Sequence, residues 1–210
     1  KSVSLMSVLA VLLGAGCFKH PEAPHRPVTS KTLADALAKK DAVERLDLSG
    51  QAVGDLPQEL ASMPKLSALL LRNGKGFSSL SVLSSLKALR MLDLSATQLT
   101  GVPAEVLGLS ALEQLYLADN GVAALPPAIG GLTALSYLNL DHNRLAALPP
   151  EIGSLSGLRW LRLNENALTS LPAEVSKLTK LQRVYLRQNQ LAAVPECLKG
   201  LPRSEEHTSE

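Results

Sequence analysis

Aromatic side chains make up only 3% of the 210 residues, and cysteine occurs twice. A core cannot be built from so few rings, so any interior must be aliphatic. Two cysteines, Cys17 and Cys197, exclude a disulfide framework. Charge of one sign is also scarce: the net is +2, without the basic stripe that nucleic-acid binding usually requires. No apolar run reaches the roughly 18–20 residues of a membrane-spanning helix. Catalytic signatures are missing as well. There is no HExxH, no GxSxG and no metal-spaced Cys/His cluster, so no enzyme activity, metal or cofactor is expected.

The amino-terminal segment is what the chain does have. Lys1 precedes the apolar stretch Val3 to Leu13, and small residues follow in Gly14-Ala15-Gly16-Cys17. A basic start, a short apolar run and small residues describe an export signal. The Cys after small residues resembles the lipobox of bacterial lipoproteins, although Gly14 stands where that family favours Leu. The resemblance implies a signal over 1–16 and diacylglycerol on Cys17, anchoring an exported protein in the cell envelope at the outer membrane. An ordinary signal cleaved near Ala15 is the other reading. Pro21, Pro24 and Pro27 make 17–29 an extended tether. His20 and His25 lie in that tether without a carboxylate cluster and read as solvated spacer.

A gapless period of 23 residues dominates the rest. Leu112 to Ala134, Leu135 to Gly157 and Leu158 to Lys180 superpose on LxxLxLxxNxLxxLPxxIxxLxx. Seven copies start at Val43, Leu66, Leu89, Leu112, Leu135, Leu158 and Leu181 and fill 43–202. The second and third leucines are two apart and share one strand face. Leu138 and Leu140 should point inward, with Tyr137, Asn139 and Asp141 outward. Leu145, Leu148, Ile152 and Leu155 should return to the interior. One copy cannot bury these alone, but stacking can.

These copies resemble the leucine-rich repeat family. The resemblance implies an α/β solenoid, a curved horseshoe with one parallel sheet on its concave face and short helices or turns on the convex side. It also implies that Asn120, Asn143, Asn166 and Asn189 form a structural ladder satisfying loop backbone. Gln51, Gly74 and Thr97 replace Asn in the first three copies, and Asn73 to Leu80 should form a different loop. Pro57, Pro103, Pro126, Pro149, Pro172 and Pro195 suit the first turn of short helices. Before the repeats, 30–42 reads as a capping helix, with Ser30 as N-cap and Leu33 and Leu37 on one face.

The outward strand slots, numbered three, five and seven within each copy, form the concave surface. The single Trp and all three Tyr fall there: Tyr116, Tyr137, Trp160 and Tyr185. Equivalent slots sit about 4.8 Å apart. Tyr137 should therefore neighbour Trp160, Trp160 should neighbour Arg183, and Arg162 should neighbour Tyr185. Exposed rings beside arginines have the composition of binding hot spots. The candidate binding set is completed by Arg159 and Arg187, with Asp119, Asp141 and His142 toward one rim. Shielding of the sheet by large side chains is the plainer reading.

A protein- or peptide-binding envelope lipoprotein is therefore expected. The alternative is the recognition half of a longer enzyme, such as a ubiquitin-ligase-type effector. Some bacterial leucine-rich repeat effectors are ubiquitin ligases, with the catalytic Cys in a separate carboxy-terminal domain. Cys197 on the return segment reads as incidental. After Leu201-Pro202 the period breaks: an eighth copy needs apolar residues at 204, 207 and 209, where Ser204, His207 and Ser209 stand. The octapeptide RSEEHTSE over 203–210 resembles a translated sequencing adapter, and is expected to be an artefact joined to a truncated gene. Without it one Arg and three Glu are lost, and the net charge rises from +2 to +4.

Overall fold

The computed structural model describes residues 26–199 apart from positions 53, 76 and 78. The export signal, Cys17, most of the tether with His20 and His25, and the tail 203–210 lie outside the described residues.

Each repeat contributes one three-residue strand: β2 Arg45–Asp47, β3 Ala68–Leu70, β4 Met91–Asp93, β5 Gln114–Tyr116, β6 Tyr137–Asn139, β7 Trp160–Arg162 and β8 Arg183–Tyr185. An additional strand, β1 Thr29–Ser30, pairs with β2. All eight strands are parallel and follow chain order. The register advances by one period at each step, so Leu46, Leu69, Leu92, Leu115, Leu138, Leu161 and Val184 align. This is a leucine-rich repeat solenoid.

The strands are buried on one face only. The central residue of every repeat strand is buried, and its two neighbours in strands β2–β7 are half-exposed. Leu138, Leu140, Leu145, Ile152 and Leu155 are fully buried, and Leu148 nearly so. Each such leucine contributes about 1.5–3 kcal/mol of transfer free energy. Stacking therefore supplies a core in which, among the described residues, no ring is fully buried.

Return segments are mostly 3-10 turns, such as Pro127–Gly131, Pro150–Ser154 and Ala173–Lys177. The repeat prolines stand one residue earlier than expected. Pro57, Pro103, Pro126, Pro149, Pro172 and Pro195 precede their helical turns as cap residues, with φ between −59° and −72°. At that position the ring needs no donor and presets the turn.

The amino-terminal cap also differs from expectation. Helix α1, Leu33–Ala38, is capped by Thr32, whose hydroxyl accepts from the Asp35 amide at 3.2 Å. Ser30 is a strand residue, buried, and donates to Asp35 Oδ2 at 2.7 Å. Leu33 and Leu37 do pack against the core, around the fully buried Ala36.

Repeat two replaces the ladder residue with a ring. Gly74 is buried, and a Cβ there would lie 2.6 Å from the Phe77 ring and 2.7 Å from the Leu71 carbonyl. Phe77 folds over the glycine onto the core edge, which explains the departure of this loop from the template.

Candidate binding surface

Two devices hold the sheet face in shape. The first is the asparagine ladder. Asn143 Nδ2 donates to the carbonyls of Leu117, Leu140 and Asp141, and its Oδ1 accepts from the Val122 amide at 3.0 Å. Asn120, Asn166 and Asn189 repeat the pattern one period apart. Each rung ties two repeats, because its acceptors lie on its own turn and on the preceding one.

The second device is a left-handed residue in the eighth slot of every repeat. Asn73, Ala96, Asp119, His142, Glu165 and Gln188 have φ between 54° and 57°, and Gly50 has 74°. The turn throws these side chains outward along one rim. There His142 lies between two carboxylates, with Nε2 at 3.1 Å from Glu165 and Nδ1 at 3.7 Å from Asp119. Arg72 approaches Asp119 at 3.9 Å.

On the sheet face, register places Tyr137 beside Trp160, Trp160 beside Arg183, and Arg162 beside Tyr185. The ring centroids of Tyr137 and Trp160 are 6.3 Å apart. Tyr116 joins the file diagonally, 4.9 Å from Tyr137, although its register partner is Asn139. Its hydroxyl donates to Gln114 Oε1 at 3.1 Å. Partial burial pushes both phenols, Tyr116 and Tyr137, above their ordinary pKa.

Arg162 is the hub. Its Nε and Nη2 reach Asp141 Oδ2 at 2.6 and 2.5 Å. Its guanidinium carbon lies 5.0 Å from the Tyr185 ring centroid. Burial works most strongly against its charge, but hydrogen bonding and charge attraction to Asp141 and Tyr137 together outweigh it and leave its pKa above the usual guanidinium value. Asp141 does not face solvent as expected. It is 5% exposed, and its Oδ1 also accepts the Asn164 amide at 2.7 Å. The cause is Arg162, one repeat later, which covers it. Asp141 therefore supports the surface from beneath.

The remaining sites divide between sheet and rim. Arg159 is exposed one residue before β7, and Arg183 and Arg187 are exposed on and just after β8. Asp119 and His142 sit together on the rim, apart from the rings. Cys197 is half-buried in a return turn, where burial raises its thiol pKa. Sequence reasoning missed Gln114 and the Tyr116–Tyr137 contact, since a same-slot rule does not register diagonals. Among the described residues no cluster of three or more His, Cys, Asp or Glu is placed to hold a metal.

Residues 129–206 match the family model for a leucine-rich repeat region. No functionally curated protein matches the chain. A leucine-rich repeat protein of Leptospira interrogans is 31% identical, with a TM-score of 0.66, over 81% of this chain and 49% of its own. The chain thus spans about half the length of that protein. Internalin C2 of Listeria monocytogenes is 28% identical, with a TM-score of 0.71, over 84% of this chain and 74% of its own. Internalin F of the same organism, at 20% identity and TM-score 0.58 over 87% and 59%, is alike in fold alone. Register, ladder and these likenesses identify the fold as a leucine-rich repeat solenoid, with the family's sequence signature over 129–206.

Proposed function

We propose that this chain is a non-enzymatic, exported protein, lipid-anchored in the bacterial envelope through Cys17, that captures a protein or peptide on its concave sheet face. The observation that carries this reading is the contiguous file Tyr116, Tyr137 and Trp160, continued by Arg162 and Tyr185. These side chains are half-exposed, yet each is held by its neighbours. A partner therefore meets rings whose rotamer freedom is already reduced, which lowers the entropic cost of binding. Aromatic and Arg anchors are the residue types that dominate binding energy at interfaces. Shielding of the sheet alone would leave the rings dispensable for capture.

Trp160→Ala is the cleanest probe. Arg162→Ala is a poor one, because it uncovers Asp141. Covalent capture from envelope fractions, with partners identified by mass spectrometry, should lose its specific partner in Trp160→Ala while the circular dichroism spectrum stays unchanged. Equal capture by the variant would sink the assignment of this face. The anchor is tested separately: labelling by a fatty-acid analogue should vanish in Cys17→Ser, and persistence would refute lipidation.

A further inference from the structure

Resting on the concave-face reading, we infer that the segment bound there is acidic beside an apolar centre. Its apolar or aromatic side chains would lie over Tyr137 and Trp160, and its carboxylates toward β8.

The charge of the sheet face differs along its length. In the strand slots of β2–β4, Arg45 and Arg72 are balanced by Asp47 and Asp93. In those of β6–β8, Arg162, Arg183 and Arg187 stand against Asp141 alone, three positive groups to one negative. That single carboxylate is 5% exposed and lies beneath Arg162, so it contributes little negative surface. The rim carboxylates Asp119 and Glu165 are turned toward His142. Arg183 and Arg187 hold contacts of their own, and the inference uses the excess of positive charge across these slots rather than an empty valence.

Geometry sets the order of groups in the ligand. Arg183 is the register partner of Trp160, one strand away at about 4.8 Å. An extended chain advances about 3.3 Å per residue. A carboxylate one or two residues beyond the group on Trp160 therefore reaches Arg183. A basic residue there would meet like charge, which disfavours the wrong ligand more strongly than the right pair favours its own.

The test uses the full chain and a displayed library of random short peptides, counter-selected on Trp160→Ala. Trp160 is the only Trp in the chain, so its emission reports this site directly. Clones that depend on Trp160 should be enriched in Asp or Glu next to aliphatic or aromatic residues. Synthetic copies should shift Trp160 emission, and bind about threefold to tenfold more weakly to Arg183→Glu or at raised salt. Trp160-dependent clones without an acidic excess, or rich in Lys and Arg, would overturn this inference and leave the concave-face reading standing. A library with no Trp160-dependent clone would overturn both.

Discussion

The first three repeats and the last four use the same period but close their turns differently. From Asn120 onward one amide side chain per repeat satisfies three carbonyls and at least one backbone amide. Before it, each repeat improvises. Gln51 reaches back to the Lys31 carbonyl, Gly74 is covered by Phe77, and Thr97 donates one hydrogen bond to the Leu94 carbonyl. The rings of the sheet face also cluster over the regular half. A file of contacting side chains needs a fixed strand spacing, which parallel pairing supplies along the whole sheet, and over the regular half the ladder also closes the turns that flank the file. The irregular half carries Ala68, Leu70 and Met91 in the same slots, which make no such file.

The largest expected effect separates the two kinds of turn. Asn143→Ala removes four hydrogen bonds in a site 9% exposed and leaves the Val122 amide without its acceptor, while the Leu117, Leu140 and Asp141 carbonyls each keep one other donor. With about 1 kcal/mol for each lost hydrogen bond, it should cost about 3–4 kcal/mol. Thr97→Ala removes far less and should cost about 1 kcal/mol. Urea unfolding of both variants checks this. Equal losses would mean that the ladder adds nothing over the improvised turns.

Next in size is the hub of the regular half. Arg162→Ala leaves the nearly buried Asp141 carboxylate without its ion-pair partner and removes the stacking on Tyr185. Breaking a buried pair costs about 3–5 kcal/mol, and the 36% exposure of the Arg162 side chain reduces this to about 2 kcal/mol. Asp141→Asn keeps the shape and the Asn164 contact, and should cost less. If urea midpoints show Arg162→Ala to be neutral, the guanidinium belongs to the binding surface alone.

Much of this was legible because the period is strict. It sets the register, the buried leucines and the position of every ladder Asn without reference to coordinates. What escaped was whatever crosses repeats off the register or sits outside the period. The burial of Asp141 depends on a side chain 21 positions later. The Tyr116–Tyr137 contact runs diagonally. Strand β1 is two residues long, in a stretch whose prolines argue against a sheet, and it forms because the edge of β2 offers partners: the Glu44 and Arg45 amides donate to the Val28 carbonyl. Ser30 looked like a helix cap because cap and strand-end serines share the same local sequence, and only the sheet edge distinguishes them.

The smallest effect tests the left-handed slot that both halves share. Gly50 fills it in the first repeat without penalty, whereas Ala96 adopts φ 55° with a Cβ present. A non-glycine residue in that region costs roughly 1 kcal/mol. Asp119, His142 and Glu165 bear the same strain, but their side chains contribute ion pairs along the rim. Ala96 has no such return. Ala96→Gly should therefore raise stability, by about 0.5 kcal/mol once the greater freedom of glycine in the unfolded chain is subtracted. The equivalent His142→Gly should not, because it discards both rim contacts. A higher urea midpoint for Ala96→Gly with an unchanged m-value, beside a lower one for His142→Gly, would show strain answered by charge only in the regular half. A loss in both would mean that the slot is relaxed and the rim pairs are incidental to the turn.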